Sequence, residues 1–319
     1  MNGNFATILA PVLTVFLVLG IGFTARRRRV LSHEADKTLF RLVVNLFYPC
    51  LILDAMVGNP ELLRAEVALL APVICVAIVL VGVGVGRLLA PATGLKFNVE
   101  RRAFAGAVGL NNYAYFAIPV VIALLPPEAL GVCFAYNIGS EICLWTIIAV
   151  LITGAGFARS WRKIINAPLL AVLTALVLNL FPTREIVPGF VWSTLHMLGI
   201  CTVPLGLIMV GSSFADFTVN GMSELLANKR VGMVALLVRS LIMPLFMITV
   251  AALSPIPMLL KQVIVVQAAM PASTFTAVMV QHFGGHAPTV LRVILITTAA
   301  GLITMPLWIR FGFYCIGAN

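Results

Sequence analysis

Apolar runs of about 20 residues recur along this chain, separated by short polar or charged segments, and that recurrence predicts its architecture. Ten runs fall near residues 5–24, 38–57, 67–89, 103–125, 129–155, 166–181, 189–213, 231–253, 262–282 and 287–309. At a helical rise of about 1.5 Å per residue, most are long enough to cross a hydrocarbon core roughly 30 Å thick. The first run has no cationic segment ahead of it and no small-residue cleavage pattern behind it, so it is expected to stay as a helix. The expected fold class is an all-α integral membrane protein of ten transmembrane helices.

Two runs are interrupted. The fourth contains Gly109-Leu110-Asn111-Asn112-Tyr113-Ala114-Tyr115-Phe116-Ala117-Ile118-Pro119, placing amides and phenols before a proline that has no N–H to continue the helical ladder. The ninth contains Gln267-Ala268-Ala269-Met270-Pro271-Ala272-Ser273-Thr274-Phe275-Thr276. In hydrocarbon, freed backbone groups persist only where protein or a wet cavity satisfies them, so both breaks are binding-site candidates. Pro11 and Pro168, and Pro49 and Pro204, recur at much the same offset as the breaks. The pattern predicts two five-helix repeats, residues 1–155 and 166–319, joined by a cytoplasmic linker at 156–165. Because five is odd, the second repeat is inverted in the membrane relative to the first.

Composition supports the class. The chain is 61% hydrophobic and 10% charged, against about 25% charged in an average soluble domain. The net charge of +10 does not point to nucleic acid, because the basic residues lie between spans, where they set topology. With the amino terminus outside, 15 of the 21 Lys and Arg are cytoplasmic: Arg26 to Arg29, Lys37, Arg41, Arg87, Lys96, Arg101, Arg102, Arg159, Arg162, Lys163, Lys229 and Arg230. Arg64, Arg184, Lys261 and Arg310 fall opposite, while Arg239 and Arg292 lie inside spans. Both termini are therefore expected outside, in a bacterial plasma membrane. The six scattered cysteines form no C-x-x-C pair and read as small apolar packing residues.

Polar residues inside the spans carry the candidate chemistry. Asn111 and Asn112 can donate to a carboxylate without adding charge, Asn112 being the first choice; capping the freed backbone is the competing role for each. Half-helix amino termini near Ala272 and Ser273 direct positive dipole ends at an anion. Gln267, Ser273, Thr274 and Thr276 are supporting candidates, although hydroxyls also bond back to their own helix. Tyr115, Pro119 and Pro271 complete the substrate-binding set.

Glu141 falls near the middle of the fifth run, with Asn137 one turn earlier. A charged carboxylate there costs about 2.5–3.5 kcal/mol, so it must be paired, wet or protonated. Cycling among such environments is a means of coupling protons to transport. Arg239 is the candidate partner, its alternatives being the substrate carboxylate or the interface. Asp54 and His196 read as interfacial, Arg292 as snorkelling, and Trp145, Trp161, Trp192 and Trp308 as interfacial anchors. His33, His196, His282 and His286 show no metal-ligand spacing, and no H-E-x-x-H, G-x-S-x-G or phosphate loop occurs. Neither an enzyme nor a metal or other cofactor is expected.

The run Leu110 to Pro119 resembles the fourth-helix signature of the auxin efflux carrier family, relatives of the bile acid:sodium symporters. Met270 to Val278, His282-Phe283-Gly284-Gly285-His286, Thr297-Thr298 and Met305-Pro306-Leu307-Trp308 are similar to that family's carboxy-terminal region, and Arg239 ahead of Pro244 to its eighth helix. The resemblance implies crossed, unwound fourth and ninth helices that bind a small organic anion. It further implies a scaffold of helices 1, 2, 6 and 7, a transport domain of helices 3–5 and 8–10 that moves as an elevator, and a homodimer through the scaffold. Ala114 and Ala117 replace the glycines usual around the fourth-helix motif, Thr276 replaces a second proline of plant members, and the long central loop is absent, so the chain resembles the compact bacterial form.

The function expected is secondary active transport of a mono- or dicarboxylate, auxin-like or malonate- or malate-like, coupled to H+ through Glu141. Sodium coupling is the alternative within that class, and a membrane sensor that binds without transporting is the alternative outside it. The partners expected are the organic anion and the lipid bilayer, with no nucleic acid.

Overall fold

The computed structural model describes residues 5–153 and 165–318, and within them every regular element is helical. We label α1 Phe5–Arg27, α2 His33–Met56, α3 Ala65–Leu89, α4 Asn98–Gly109, α5 Ala117–Leu124, α6 Glu128–Ile152 and α7 Ala167–Leu178. There follow α8 Gly189–Gly199, α9 Thr202–Ala227, α10 Lys229–Leu253, α11 Met258–Ala269, α12 Phe275–Phe283 and α13 Ala287–Cys315. Among the described residues, seven segments are long and apolar enough to cross a membrane: α1, α2, α3, α6, α8 with α9, α10 and α13. Two shorter apolar helices, α7 and α11, stand where the sixth and ninth spans were expected. The fourth expected span is split into α4 and α5, and the ninth into α11 and α12. Most of the expected linker, with Arg159, Trp161, Arg162 and Lys163, lies outside the described residues, as does the side chain of His282.

Burial is inside out relative to a soluble protein. Leu17, Val73 and Ile303 point away from the bundle, whereas Asn111, Asn112, Asn137, Arg239 and Gln267 are buried within it. A bilayer rewards this arrangement, because outward leucines meet lipid and inward polar groups meet one another.

Among the described residues, three helices carry a π turn. Val43–Phe47 in α2 and Val238–Ile242 in α10 lie just ahead of Pro49 and Pro244. There the Tyr48 and Met243 N–H groups donate five residues back, to the Val43 and Val238 carbonyls. A proline supplies no N–H, and the widened turn redistributes the bonds around that gap. The third, Leu144–Ile148, interrupts α6 just beyond Glu141.

Packing pairs α1 with α9, α7 and α8 with α2, α3 with both α4 and α6, and α10 and α11 with each other and with α13. Small residues permit the closest approach. A Cβ added at Gly22 would lie 2.2 Å from the Ile208 carbonyl oxygen, and one at Gly211 only 2.1 Å from that of Leu19. At one end of this pair, Arg26 is buried and its guanidinium bridges Asp36 of α2 and Asp216 of α9, with Nε 3.2 Å from Asp216 Oδ1. His33, Asp36 and Asp216 offer ligand atoms within 4.8 Å of one another, a grouping that sequence spacing did not show. Arg26 already supplies the cation between its two carboxylates.

The contact between α1 and α9 yields a direct test. Gly211→Val should destabilise the protein by about 1–3 kcal/mol through overpacking, whereas Gly20→Ala, with nothing within 4 Å of its added Cβ, should be near neutral. Thermal unfolding in detergent reads the difference, and equal melting temperatures would contradict the packing.

Candidate functional site

Where α4 and α11 stop, their loose ends bond to each other. The Asn112 N–H donates to the Pro271 carbonyl at 2.8 Å, and the Ser273 N–H donates to the Leu110 carbonyl at 2.9 Å. Asn111 and Ala272 thereby form an antiparallel bridge, the only extended pairing among the described residues. Each break supplies what the other lacks, so backbone that would be intolerable in lipid is satisfied in the protein interior. Pro119 does not sit in the break. It occupies the first turn of α5, a position that tolerates its missing N–H.

Asn111 and Asn112 have different neighbours. The Asn111 Nδ2 donates to Gln267 Oε1 at 2.5 Å and to the Gln267 carbonyl at 3.3 Å. Gln267 Nε2 in turn donates to Asn137 Oδ1 at 3.0 Å, and Asn137 Nδ2 to the Tyr113 carbonyl at 3.0 Å. This network latches the break between α4 and α5 to α6 and α11 and uses the amides of all three side chains. Asn112, fully buried, makes one long side-chain contact, from Nδ2 to Thr274 Oγ1 at 3.4 Å. Its Oδ1 and the Ser273 Oγ find no hydrogen-bond partner among the described residues. Buried polar atoms are nearly always paired, so two orphans at one junction are unusual.

Thr276 takes the competing role, donating from Oγ1 to the Ser273 carbonyl at 2.6 Å. Thr274 instead lines a cavity of about 80 Å³ with Phe40 of α2, Met209 and Phe217 of α9, Tyr115 and Phe275. The Tyr115 ring stacks on Phe275 at a centroid distance of 5.4 Å. One edge of the Tyr115 ring lies against α9, for a Cβ at Gly206 would approach Tyr115 Cε1 to 2.3 Å.

Arg239 and Glu141 face different groups. Arg239 Nε donates to the Met270 carbonyl at 3.0 Å and Nη2 to the Gln267 carbonyl at 3.5 Å. It thus places a cation at the carboxyl end of α11, where unsatisfied carbonyls and the helix dipole are negative. No carboxylate forms a salt bridge with it among the described residues. Glu141 Oε1 accepts from the Tyr113 hydroxyl at 2.7 Å, and Oε2 from Trp145 Nε1 at 3.1 Å and Asn166 Nδ2 at 3.2 Å. The suggested partnership with Arg239 is replaced by three neutral donors. Trp145, expected as an interfacial anchor, is one of them. Its spacing of four residues from Glu141 on one helix face was the signal available. Tyr113, Asn166 and Phe275 were not singled out either, and Tyr113 also stacks on Phe275 at 5.8 Å.

Elsewhere, Asp54 Oδ2 lies 2.9 Å from His196 Nδ1 and its Oδ1 lies 3.6 Å from Arg184 Nη2. The His196 side chain is largely exposed. Arg292, expected to snorkel, is buried.

A family model described as membrane transport protein matches the chain in two consecutive segments, residues 7–160 and 156–309. The chain belongs to this membrane transport family, that of the auxin efflux carriers. It is 26% identical over 303 residues to an uncharacterized transporter of Methanothermobacter thermautotrophicus, covering 93% of this chain and 96% of that one. It is 24% identical over 311 residues to an uncharacterized transporter of Methanocaldococcus jannaschii, with the same coverage of each. The protein is thus a multi-pass membrane protein of a transporter family.

The division of labour between the two asparagines predicts that Asn111→Ala will cost about 1–3 kcal/mol by stranding Gln267. Asn112→Ala should cost distinctly less. Parallel thermal unfolding in detergent checks this, and a larger loss for Asn112→Ala would contradict it.

Proposed function

We propose that this member of the membrane transport family is a secondary active transporter, not an enzyme, that moves a small organic anion and draws its driving force from protons through Glu141. The observation that carries the proposal is the pair of orphaned buried atoms, Asn112 Oδ1 and Ser273 Oγ, at the junction of two broken helices, where Thr274, the side-chain contact of Asn112, lines a cavity. An amide side chain can turn to offer either its N–H groups or its oxygen, so Asn112 can donate to a carboxylate. Arg239 adds a fixed positive charge nearby without binding the anion so tightly as to prevent release. The substrate class that fits is a mono- or dicarboxylate.

The packing supports an inverted repeat of five helices. Exchanging the halves turns the α1–α9 pair into α7–α2, α3–α6 into α10–α13, α4–α13 into α11–α6, and α1–α13 into α7–α6, and all of these pairs are in contact. In this reading α1, α2, α7, α8 and α9 form a scaffold, and α3–α6 with α10–α13 form a transport domain carrying the crossover. The Tyr115 ring against Gly206 is then a sliding contact between the two, and the motion is that of an elevator. Both termini lie outside, the membrane is a bacterial plasma membrane, and two copies pair through the scaffold.

In this reading Glu141 links protons to the crossover. Tyr113 connects its carboxylate to the break, and Asn166 connects it to the first turn of α7. A proton gained at Glu141 exchanges an acceptor for a donor at the atom that Tyr113 or Asn166 holds. Position of the crossover and protonation of Glu141 are coupled in this way.

Uptake of labelled mono- and dicarboxylates into proteoliposomes tests the proposal. Asn112→Ala should abolish uptake, and Glu141→Gln should retain exchange while losing the response to an imposed pH gradient. Uptake that follows a sodium gradient and ignores a protonophore would replace H+ by Na+ as the coupling ion. Binding without any uptake would favour a sensor.

A further inference from the structure

One surface feature plays no part in the crossover. Arg87, in the last turn of α3, Asn98, which begins α4, and Arg102, one turn further on, line an open cleft of about 530 Å³ whose far wall is Thr146, Ile147, Val150 and Leu151 of α6. We propose that this cleft is a binding site for the phosphate headgroup of an anionic phospholipid.

The two arginines are held differently. Arg102 donates from Nε to the Leu151 carbonyl and from Nη2 to the Val150 carbonyl, both at 3.0 Å, which fixes its guanidinium on the wall and leaves Nη1 uncommitted. Arg87 is exposed and has no hydrogen bond or ion pair among the described residues. No acidic side chain lines the cleft. The nearest acid along the chain, Glu100, accepts from the Lys96 and Phe97 amides at 3.2 Å and has Oε1 3.6 Å from His286 Nε2. Two cations with donors to spare and no counter-charge suit one phosphodiester, which accepts from several N–H groups at once.

The surroundings distinguish a lipid from a soluble phosphate. Leu88 and Phe97, the chain neighbours of Arg87 and Asn98, are 77% and 67% exposed. The cleft wall itself is largely apolar, with Ile147, Val150 and Leu151, so acyl chains can lie along it beside a polar head. Basic pockets between membrane helices bind anionic headgroups by this combination. The cleft lies wholly within α3, α4 and α6, so a lipid seated there contacts the part of the molecule proposed to move. Its occupancy would bias the position of that part.

Native mass spectrometry of the full chain in detergent, titrated with phosphatidylglycerol or phosphatidylcholine, tests the site without reference to transport, so its result is separable from the transporter reading. Phosphatidylglycerol should be retained and phosphatidylcholine should not. Arg87→Gln, whose side chain holds nothing else, should weaken retention roughly fivefold, as should Arg102→Gln, in line with about one charge contact each. Arg102→Lys, which keeps the charge, should weaken it less, and Arg310→Gln, outside the cleft, should leave it unchanged. Equal retention by native and Arg87→Gln protein overturns the proposal. So does a cleft that takes glycerol 3-phosphate with the same arginine dependence while releasing the lipid, since that would assign it to a soluble phosphate.

Discussion

Backbone N–H and C=O groups cannot be left unpaired in hydrocarbon, and the crossover is this chain's answer to breaking two helices there. Leu110, Asn112, Pro271 and Ser273 exchange two main-chain hydrogen bonds between segments more than 150 residues apart in the chain. Neither break is tenable without the other. The buried latch of Asn111, Gln267 and Asn137, and the Arg239 cation on the carboxyl end of α11, both serve this junction. Much of the interior polarity can be understood as support for it.

Satisfying the backbone frees selected side chains. Once the main chain is paired, Asn112 and Ser273 each have an atom without a partner among the described residues, and Thr274, which Asn112 contacts, lines a cavity walled by Tyr115 and Phe275. Such groups are costly in a finished core and useful in a binding site. Glu141 follows the same logic at a distance. Its three neutral donors hold it without a countercharge, and Tyr113 ties it to the element that bends.

Much of this was legible in the sequence, for physical reasons. Long apolar runs in hydrocarbon fold as helices, so each expected run overlaps a helix among the described residues, seven segments being long and apolar enough to cross a membrane, and two runs break near Asn111 and Pro271. The proline in the fourth run marked the right neighbourhood but the wrong residue, because Pro119 starts the second half-helix instead of interrupting the first. Partners across the bundle were not legible. Nothing local says that Arg239 will face carbonyls instead of Glu141, or that Arg26 will be buried between Asp36 and Asp216, since those pairings depend on how distant helices meet. Trp145 was expected as an interfacial anchor, although its partner Glu141 lies one turn away on the same helix and so was within reach of a local reading.

The central claim is that the crossover moves against a stationary scaffold while carrying its ligand. The contact between Tyr115 and Gly206 provides the most direct measurement. Cysteines placed at both positions, in a chain whose Cys201 and Cys315 are replaced by serine, can be cross-linked by oxidation and released by reduction. The account predicts that the cross-linked protein binds substrate but does not transport it, and that reduction restores uptake. Transport at the native rate with the cross-link intact would contradict it.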